Sequence, residues 1–377
     1  MTQTFEVIIA GLGAMGSAAA YHLARRGQRV LGLDRFTPPH SFGSSHGQTR
    51  IIREAYFEHP LYVPLVQRAY QLWAELEQEC GRTLFRQTGG LMIGPPDGVL
   101  VRGAQHSAQL HQLPHAMLSA GEIRERFPAL HPTHEMVAVW EPRAGILFPE
   151  SCIEAHLKRA RHYGATLQFE EPVTKWQADG AGVEVSTSRG DYRADRLLLA
   201  AGPWMQTLLA DLFLPLTVER QTICWFDPHT NAEHFHPDCC PINLWEYAPD
   251  RFFYGFPDLG QGVKAAIHHE GEAVEPESVQ RTVAPEEVEH IRTFVRRFLP
   301  AADGVLRYSA VCLYTNMPDS HFLVDTHPLH TQVLIASPCS GHGFKFSSVI
   351  GELLADLCLS GRSSFDLRPF RLERWRS

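Results

Sequence analysis

Three glycines spaced as GxGxxG, Gly11, Gly13 and Gly16, sit between an apolar run at residues 6–10 and an alanine-rich run at residues 14–26. No other feature of the chain constrains its fold as strongly. Gly27 stops the second run, and a further apolar run at residues 29–34 follows, so the order is strand, tight turn, helix and strand, the opening of a βαβ unit. Bare backbone at the glycines permits the turn, lets a pyrophosphate come close and lets the helix pack against the strand. The phosphate then meets the positive end of the helix. Asp34 follows Gly11 by roughly 20 residues and ends the second strand, where a carboxylate accepts hydrogen bonds from a ribose diol and disfavours a 2′-phosphate. The segment is therefore expected to hold a dinucleotide.

The rest of the chain must be organised around that unit. At roughly 100 to 200 residues per domain, 377 residues make two or three globular units, and an apolar fraction of 44% excludes disorder. A polar loop at 38–49 is long enough to be functional and precedes a helix at 63–79 with Val66, Ala69, Tyr70, Trp73 and Leu76 on one face. Patterning predicts strands at 91–94, 166–169, 183–187 and 196–201, helices at 120–127 and 151–163, and a short segment at 145–148. The strand at 196–201 runs into Ala200, Ala201 and Gly202, a small-residue turn suited to a second close approach of backbone to cofactor. Residues 218–308 are richer in aromatics, with strands at 224–226, 252–256 and 263–268 and an amphipathic helix at 285–299. Strands at 322–325 and 333–336 then lead through a glycine loop to a helix at 347–359. The fold class expected is α/β: a Rossmann-like cofactor domain (1–84, 146–217 and 312–377) interleaved with a mixed-sheet substrate domain (85–145 and 218–311).

Charge and cysteine usage narrow the function. With 34 basic against 42 acidic residues the net charge is -8, so no broad grip on nucleic acid or anionic membrane is expected. The longest apolar stretch, 197–216, is broken by Pro203, Gln206, Asp211 and Pro215 and is not a membrane span. Without a basic, cleavable leader pattern and without a CxxC pair among eight cysteines, the chain is expected to be cytoplasmic with reduced thiols. His234, His236, Cys239 and Cys240 gather zinc-type ligands in one short segment, but adjacent cysteines lack the CxxC loop, and no metal is assigned. Only four of the basic residues are lysines. Lys158 and Lys175 read as solvent-exposed. Lys264 and Lys345 lie among apolar residues just after glycines, where a compact ammonium able to shed its proton has a use.

Several separated segments resemble the monomeric sarcosine oxidase and N-methyltryptophan oxidase family of FAD-dependent amine oxidases. They are the GxGxxG opening, GSSHGQTRIIREAY (43–56), FFYGFP (252–257), VKAAIH (263–268), CLYTNMPD (312–319), SGHGFKFSS (340–348) and SSFDLRPFRLERW (363–375). The TNMPD turn and the terminal segment lean toward the N-methyltryptophan branch. The resemblance implies that the cofactor is FAD, tethered by a thioether from Cys312 to its 8α methyl. It places Gly11, Gly13, Gly16, Asp34, Ser44, His46, Thr49, Val173, Gly202, Gly343 and Phe344 around that cofactor, with the amides near Gly343 and the following helix facing the flavin N1 and C2 carbonyl. A tether makes the flavin non-dissociable and alters its electronics.

The same resemblance assigns the chemistry. Arg53 and Lys345 pair with a substrate carboxylate, one as a planar fork and the other as a point charge; the plainer reading of Arg53 is an ion pair with Glu54 or Glu58. Tyr254 and Tyr314 wall the amine, and His268 takes part in proton handling. Lys264 activates dioxygen, while Arg50 and His46 keep its surroundings positive. The reaction implied is transfer of a hydride equivalent from carbon beside a secondary amine to FAD, giving an imine and hydrogen peroxide, in a monomer acting on an N-methyl or cyclic amino acid such as sarcosine, N-methyltryptophan or pipecolate. Only the neutral amine reacts, and lowering a lysine-like pKa by about three units costs roughly 4 kcal/mol, which a cationic, partly desolvated pocket supplies with the right sign. Two other readings stand beside this one. An FAD dehydrogenase with a non-oxygen acceptor would not need Lys264, and a non-catalytic flavin-binding module would not need Arg53 and Lys345.

Overall fold

The strand Gln3–Ala10 lies inside a mixed sheet, flanked in parallel by Val30–Leu33 and Gly190–Leu199. Val7 to Ala10 are all buried, and burial on both faces explains why the sequence here is a continuous apolar run rather than an alternation. The structure, a computed structural model, describes residues 3–375; residues 1, 2, 376 and 377, which the expected outer segments 1–84 and 312–377 include, lie outside the described residues. Among these, eight strands form the first sheet, and Gly190–Leu199 is shared within it. Its first half pairs antiparallel with Val183–Thr187 and its second half parallel with Val333–Ser337. The expected strand at 196–201 is thus only the buried end of a longer element whose polar start carries no apolar signal.

Helix Ala14–Arg25 packs on this sheet and against helices Pro149–His162 and Ser347–Ser360. The crossing is close because both partners are small: a Cβ on Gly351 would stand 2.5 Å from Ala18 Cβ and 2.6 Å from its carbonyl carbon. The N-terminal and C-terminal ends of the chain are locked together at this contact.

A nine-stranded sheet forms the second layer. Thr217–Phe226, Val263–His268, Arg251–Phe256 and Ile242–Ala248 run through it, followed by Gly90–Gly94, Val137–Glu141 and Ala116–Ser119. Helix Pro285–Phe298 covers it with Ile291, Phe294, Val295 and Phe298 buried. Leu306–Asn316 pairs with Thr217–Phe226 over its whole length, so the division expected at residue 312 cuts a strand that belongs to this sheet. Pairing across the sheet, not local sequence, decides where that strand ends. A small third sheet joins Arg50–Ile52, Gly145–Leu147 and Phe85–Gln87. Helix Val99–Leu110 and strands Val173–Ala178, Val137–Glu141 and Ile242–Ala248 were not anticipated by the pattern. No helix among the described residues is long and apolar enough to cross a membrane.

The helix crossing gives a direct test. Gly351→Ala forces a Cβ into Ala18 and is expected to lower unfolding free energy by about 1–3 kcal/mol, whereas Gly121→Ala, in an exposed helix with only Ser119 Oγ at 3.9 Å, should raise it by roughly 0.5–1 kcal/mol. Urea midpoints of the two variants moving in the same direction would contradict this account of the core.

Candidate active site

The parallel strands Gln3–Ala10, Val30–Leu33 and Gly190–Leu199 all end on one side of the first sheet, where α/β folds place their ligands. A single cleft starts there, passes between the two large sheets and ends at Lys345. Of the residues assigned to the cofactor and the chemistry from sequence, all line this cleft except Gly16 and His46.

The dinucleotide end is built as the glycine spacing requires. Gly11 has φ +96, and a Cβ there would meet the Ala200 carbonyl oxygen at 2.5 Å, whereas Gly13 faces open space with its nearest atom 3.9 Å away. Gly16 works from behind, since a Cβ on it would lie 1.8 Å from Gly11 O. Gly343 is similarly crowded, by Pro338 O at 1.7 Å. Asp34 is buried and accepts the Leu12 amide at 2.7 Å and the Phe36 amide at 2.8 Å, which fixes its carboxylate at the cleft. Burial lifts its pKa, against the pull of those two amides. Val173 and Gly202 close the far wall, and Gly202, at φ +55, has nothing within 4 Å of its Cβ position. Open backbone before a helix N-terminus, facing a fixed acid, fits a dinucleotide such as FAD.

Beyond it the 43–53 segment supplies two cations. Arg50 donates to the carbonyls of Thr49 (2.8 Å) and Ser44 (2.7 Å) and approaches Cys312 Sγ at 3.4 Å. Cys312 is 3% exposed at the centre of the cleft, on the strand Leu306–Asn316. Lys264 Nζ donates to Gly47 O at 2.8 Å, Thr49 O at 2.9 Å and Thr49 Oγ1 at 3.0 Å and packs over Trp225 and Phe256. Three oxygen acceptors match the three N–H groups of an ammonium, although burial and the neighbouring Arg50 pull its pKa well below the usual lysine value. The segment itself is pinned by Glu150, which accepts the Gly47 and Gln48 amides.

His46 corrects an expectation. It stands off the cleft, its Nε2 buried without a hydrogen-bond partner among the described residues, and burial with repulsion from Arg50 pulls its pKa down to about 4. It is neutral at pH 7 and adds no charge near Lys264.

Arg53 meets both of its readings. It lines the cleft and is 3% exposed, yet its Nη2 donates to both Glu58 carboxylate oxygens, at 2.7 and 2.8 Å, and its Nη1 to Ala55 O at 2.9 Å. Although burial raises the pKa of Glu58, Arg53, with Lys345 behind it, holds that carboxyl below its ordinary value. Lys345 is 5% exposed, on the short turn Phe344–Phe346 that leads into helix Ser347–Ser360, with its Nζ donating to His342 O at 2.7 Å. Burial and Arg53 bring its pKa down to about 7. The exposure of Lys158 and Lys175 separates the four lysines as the sequence suggested.

Tyr254, Tyr314 and His268 form the facing wall. His268 Nδ1 lies 3.1 Å from the Tyr314 hydroxyl, and burial beside His269, His342 and Lys345 holds the imidazole neutral. Burial pushes Tyr254 up to about 12 even with Arg50 near, so both phenols stay protonated. Sequence reasoning left Tyr56, His342 and the cleft-lining Phe57 and Leu244 without a role; Glu58 entered only as a surface partner for Arg53. Among the described residues no set of three metal-ligating side chains comes together; Cys239 is exposed, Cys240 is buried, and His236 faces Asp238 at 3.4 Å.

Comparison with known proteins agrees with this geometry. The FAD dependent oxidoreductase family matches residues 6–357. A monomeric sarcosine oxidase of Streptomyces avermitilis is 45% identical over 98% of this chain and 97% of its own. An N-methyl-L-tryptophan oxidase of Yersinia pestis is 35% identical over 99% and 100%. The higher identity is with the sarcosine oxidase, against the lean taken from the TNMPD turn. The solved structure of NikD, an unusual amino acid oxidase essential for nikkomycin biosynthesis, superposes with a TM-score of 0.86 at 26% identity, covering 98% of both chains. Matches spanning whole chains, over a cleft whose glycines, acid and buried cations stand together, place this chain in the family of FAD-dependent oxidoreductases that includes the monomeric sarcosine oxidases and N-methyl-L-tryptophan oxidases.

Proposed function

We propose that the chain is an oxidase of N-methyl or other secondary amino acids that uses FAD held covalently through Cys312, takes dioxygen as acceptor and works as a cytoplasmic monomer. The observation that carries this reading is the pair of buried cations, Arg53 and Lys345, in one cleft with a second cationic pair, Arg50 and Lys264, beside Cys312. Seven further cysteines, none paired in a disulfide among the described residues, support a reducing compartment. The names of the relatives support sarcosine and N-methyltryptophan as substrate types.

FAD bound in this cleft would supply an acceptor for the electron pair of the C–H bond beside the amine, with dioxygen as the final acceptor and hydrogen peroxide as the product. The chain's own residues set the conditions. A substrate carboxylate meets Lys345 directly and reaches Arg53 by competing with Glu58, so binding exchanges one carboxylate partner for another. Held there, the amine shares a largely desolvated space with cations and with His268, which stays neutral; both features favour loss of the ammonium proton. Tyr254 and Tyr314, protonated, offer hydroxyls that hydrogen-bond and orient the amine. At the other end Arg50 places fixed positive charge, and Lys264 a protonatable amine, where an anion formed from dioxygen needs it.

Three measurements test the proposal. Lys264→Met should slow reoxidation by air roughly 100-fold or more while anaerobic bleaching by sarcosine or N-methyl-L-tryptophan persists; slow reoxidation of the unmodified protein without stoichiometric peroxide would instead favour a dehydrogenase. Acid denaturation should leave the yellow colour on the chain, and on Cys312→Ser it should wash out. Because Lys345, with a pKa near 7, is charged below that pH and loses its charge above it, the affinity for benzoate, a carboxylate with no amine, should weaken several-fold from about pH 6 to about pH 8. Lys345→Met should flatten that dependence, and an equally steep profile in the variant would remove Lys345 from the carboxylate site.

A further inference from the structure

Among the described residues Lys345 is held by neutral acceptors alone: besides His342 O, its Nζ reaches the Tyr56 hydroxyl oxygen at 3.3 Å. The direction of that second bond is decided two residues away. His342 Nε2 lies 2.9 Å from the carbonyl oxygen of Ser320, which can only accept, so Nε2 carries the ring proton. Burial keeps the ring neutral, with its pKa pulled down to about 3, and Nδ1 is therefore a bare acceptor. The wholly buried Tyr56 has its hydroxyl 2.6 Å from Nδ1 and donates there; its other neighbour, His342 O, is 3.5 Å away and already accepts Lys345. The Tyr56 oxygen thus turns its lone pairs to Lys345.

Every donor in this chain runs one way, from Lys345 to Tyr56 to His342 to Ser320. Two of the three N–H groups of the ammonium are committed to oxygens that carry no charge, which leaves the third for the cleft and leaves the positive charge uncancelled. The Tyr56 ring also spaces the two substrate-side cations, with the Arg53 guanidinium carbon 4.4 Å and Lys345 Nζ 5.1 Å from its centroid.

We propose that Tyr56 and His342 are positioning residues that aim Lys345 at the substrate carboxylate, so that the tautomer of a buried histidine sets the affinity of the site for amino acids; the inference rests on the amino acid oxidase reading above. Tyr56→Phe keeps the ring and removes the relay. Its kcat/KM should fall roughly tenfold more with sarcosine or N-methyl-L-tryptophan than with the corresponding carboxamides, which lack the carboxylate, and chiefly through KM. Its Kd for benzoate should rise roughly tenfold or more. A merely structural role would lower amino acid and carboxamide alike. In case Tyr56→Phe does not fold, His342→Gln, whose amide can both accept from Tyr56 and donate to Ser320, should retain benzoate binding that His342→Leu loses. Equal losses for acid and amide, or benzoate binding unaffected by Tyr56→Phe and His342→Leu, would overturn the positioning role while the oxidase reading stands. Unmodified holoprotein that neither binds benzoate nor is bleached by any N-methyl amino acid would overturn both.

Discussion

Four cations, Arg53, Lys264 and Lys345 buried and Arg50 half-buried, stand along one cleft, and how their N–H groups are satisfied governs the rest of the site. A buried cation without acceptors costs several kcal/mol even after relaxation. Three of the four obtain those acceptors from oxygens that carry no charge, namely the carbonyls of Ser44, Gly47, Thr49 and His342 and the hydroxyls of Thr49 and Tyr56. Carbonyl dipoles pay part of the desolvation cost without cancelling charge, so the cleft stays positive inside a chain whose net charge is -8. Among the described residues only Arg53 of the four has a carboxylate partner, Glu58, and it is the cation that a substrate carboxylate must win by exchange.

This arrangement explains why the two sheets interleave. The carbonyls that hold Lys264 come from the 43–50 segment, while Lys264 itself and Cys312 come from strands of the second sheet. Lys345 comes from the end of the chain, after the first sheet is complete. The 43–50 segment gives Arg50 its own acceptors and the 342–345 turn gives Lys345 one of its two, but Lys264 finds its oxygens only on a distant segment. Lys264 and its acceptors, like Lys345 and Tyr56, meet only when distant segments close on each other, so the site forms with the tertiary fold rather than within any one element. The tight Gly351–Ala18 crossing serves the same end, because it ties the helix behind Lys345 to the helix behind the glycine turn.

What could be read beforehand was what is written locally. The strand, glycine turn, helix and Asp34 need only about thirty consecutive residues, the length of one βαβ unit, and they emerge as expected. Lysine scarcity also carried over, since Lys264 and Lys345 are buried and the other two are not. Helix Val99–Leu110 escaped notice because Gly103 interrupts its pattern, and that glycine is there to let Phe57 O approach, at 2.3 Å from its Cβ position. Tyr56 and His342 lie 286 positions apart, so their hydrogen bond has no sequence signature. The neutrality of His46 likewise depends on burial beside Arg50, which residue type and spacing do not reveal.

One short strand also divides the labour between the two cationic pairs. Arg50–Ile52 pairs antiparallel with Gly145–Leu147, and Arg53 follows directly. Along an extended chain side chains alternate, so an odd spacing of three sends Arg50 and Arg53 to opposite sides. The contacts agree: Arg50 turns to Ser44 and Cys312, whereas Arg53 turns to Glu58 and the ring of Tyr56. An even spacing would bring both guanidiniums to one side, where their repulsion would add to the cost of burying each. The triplet spacing in TRIIR thus lets a single strand serve a cation to each end of the cleft.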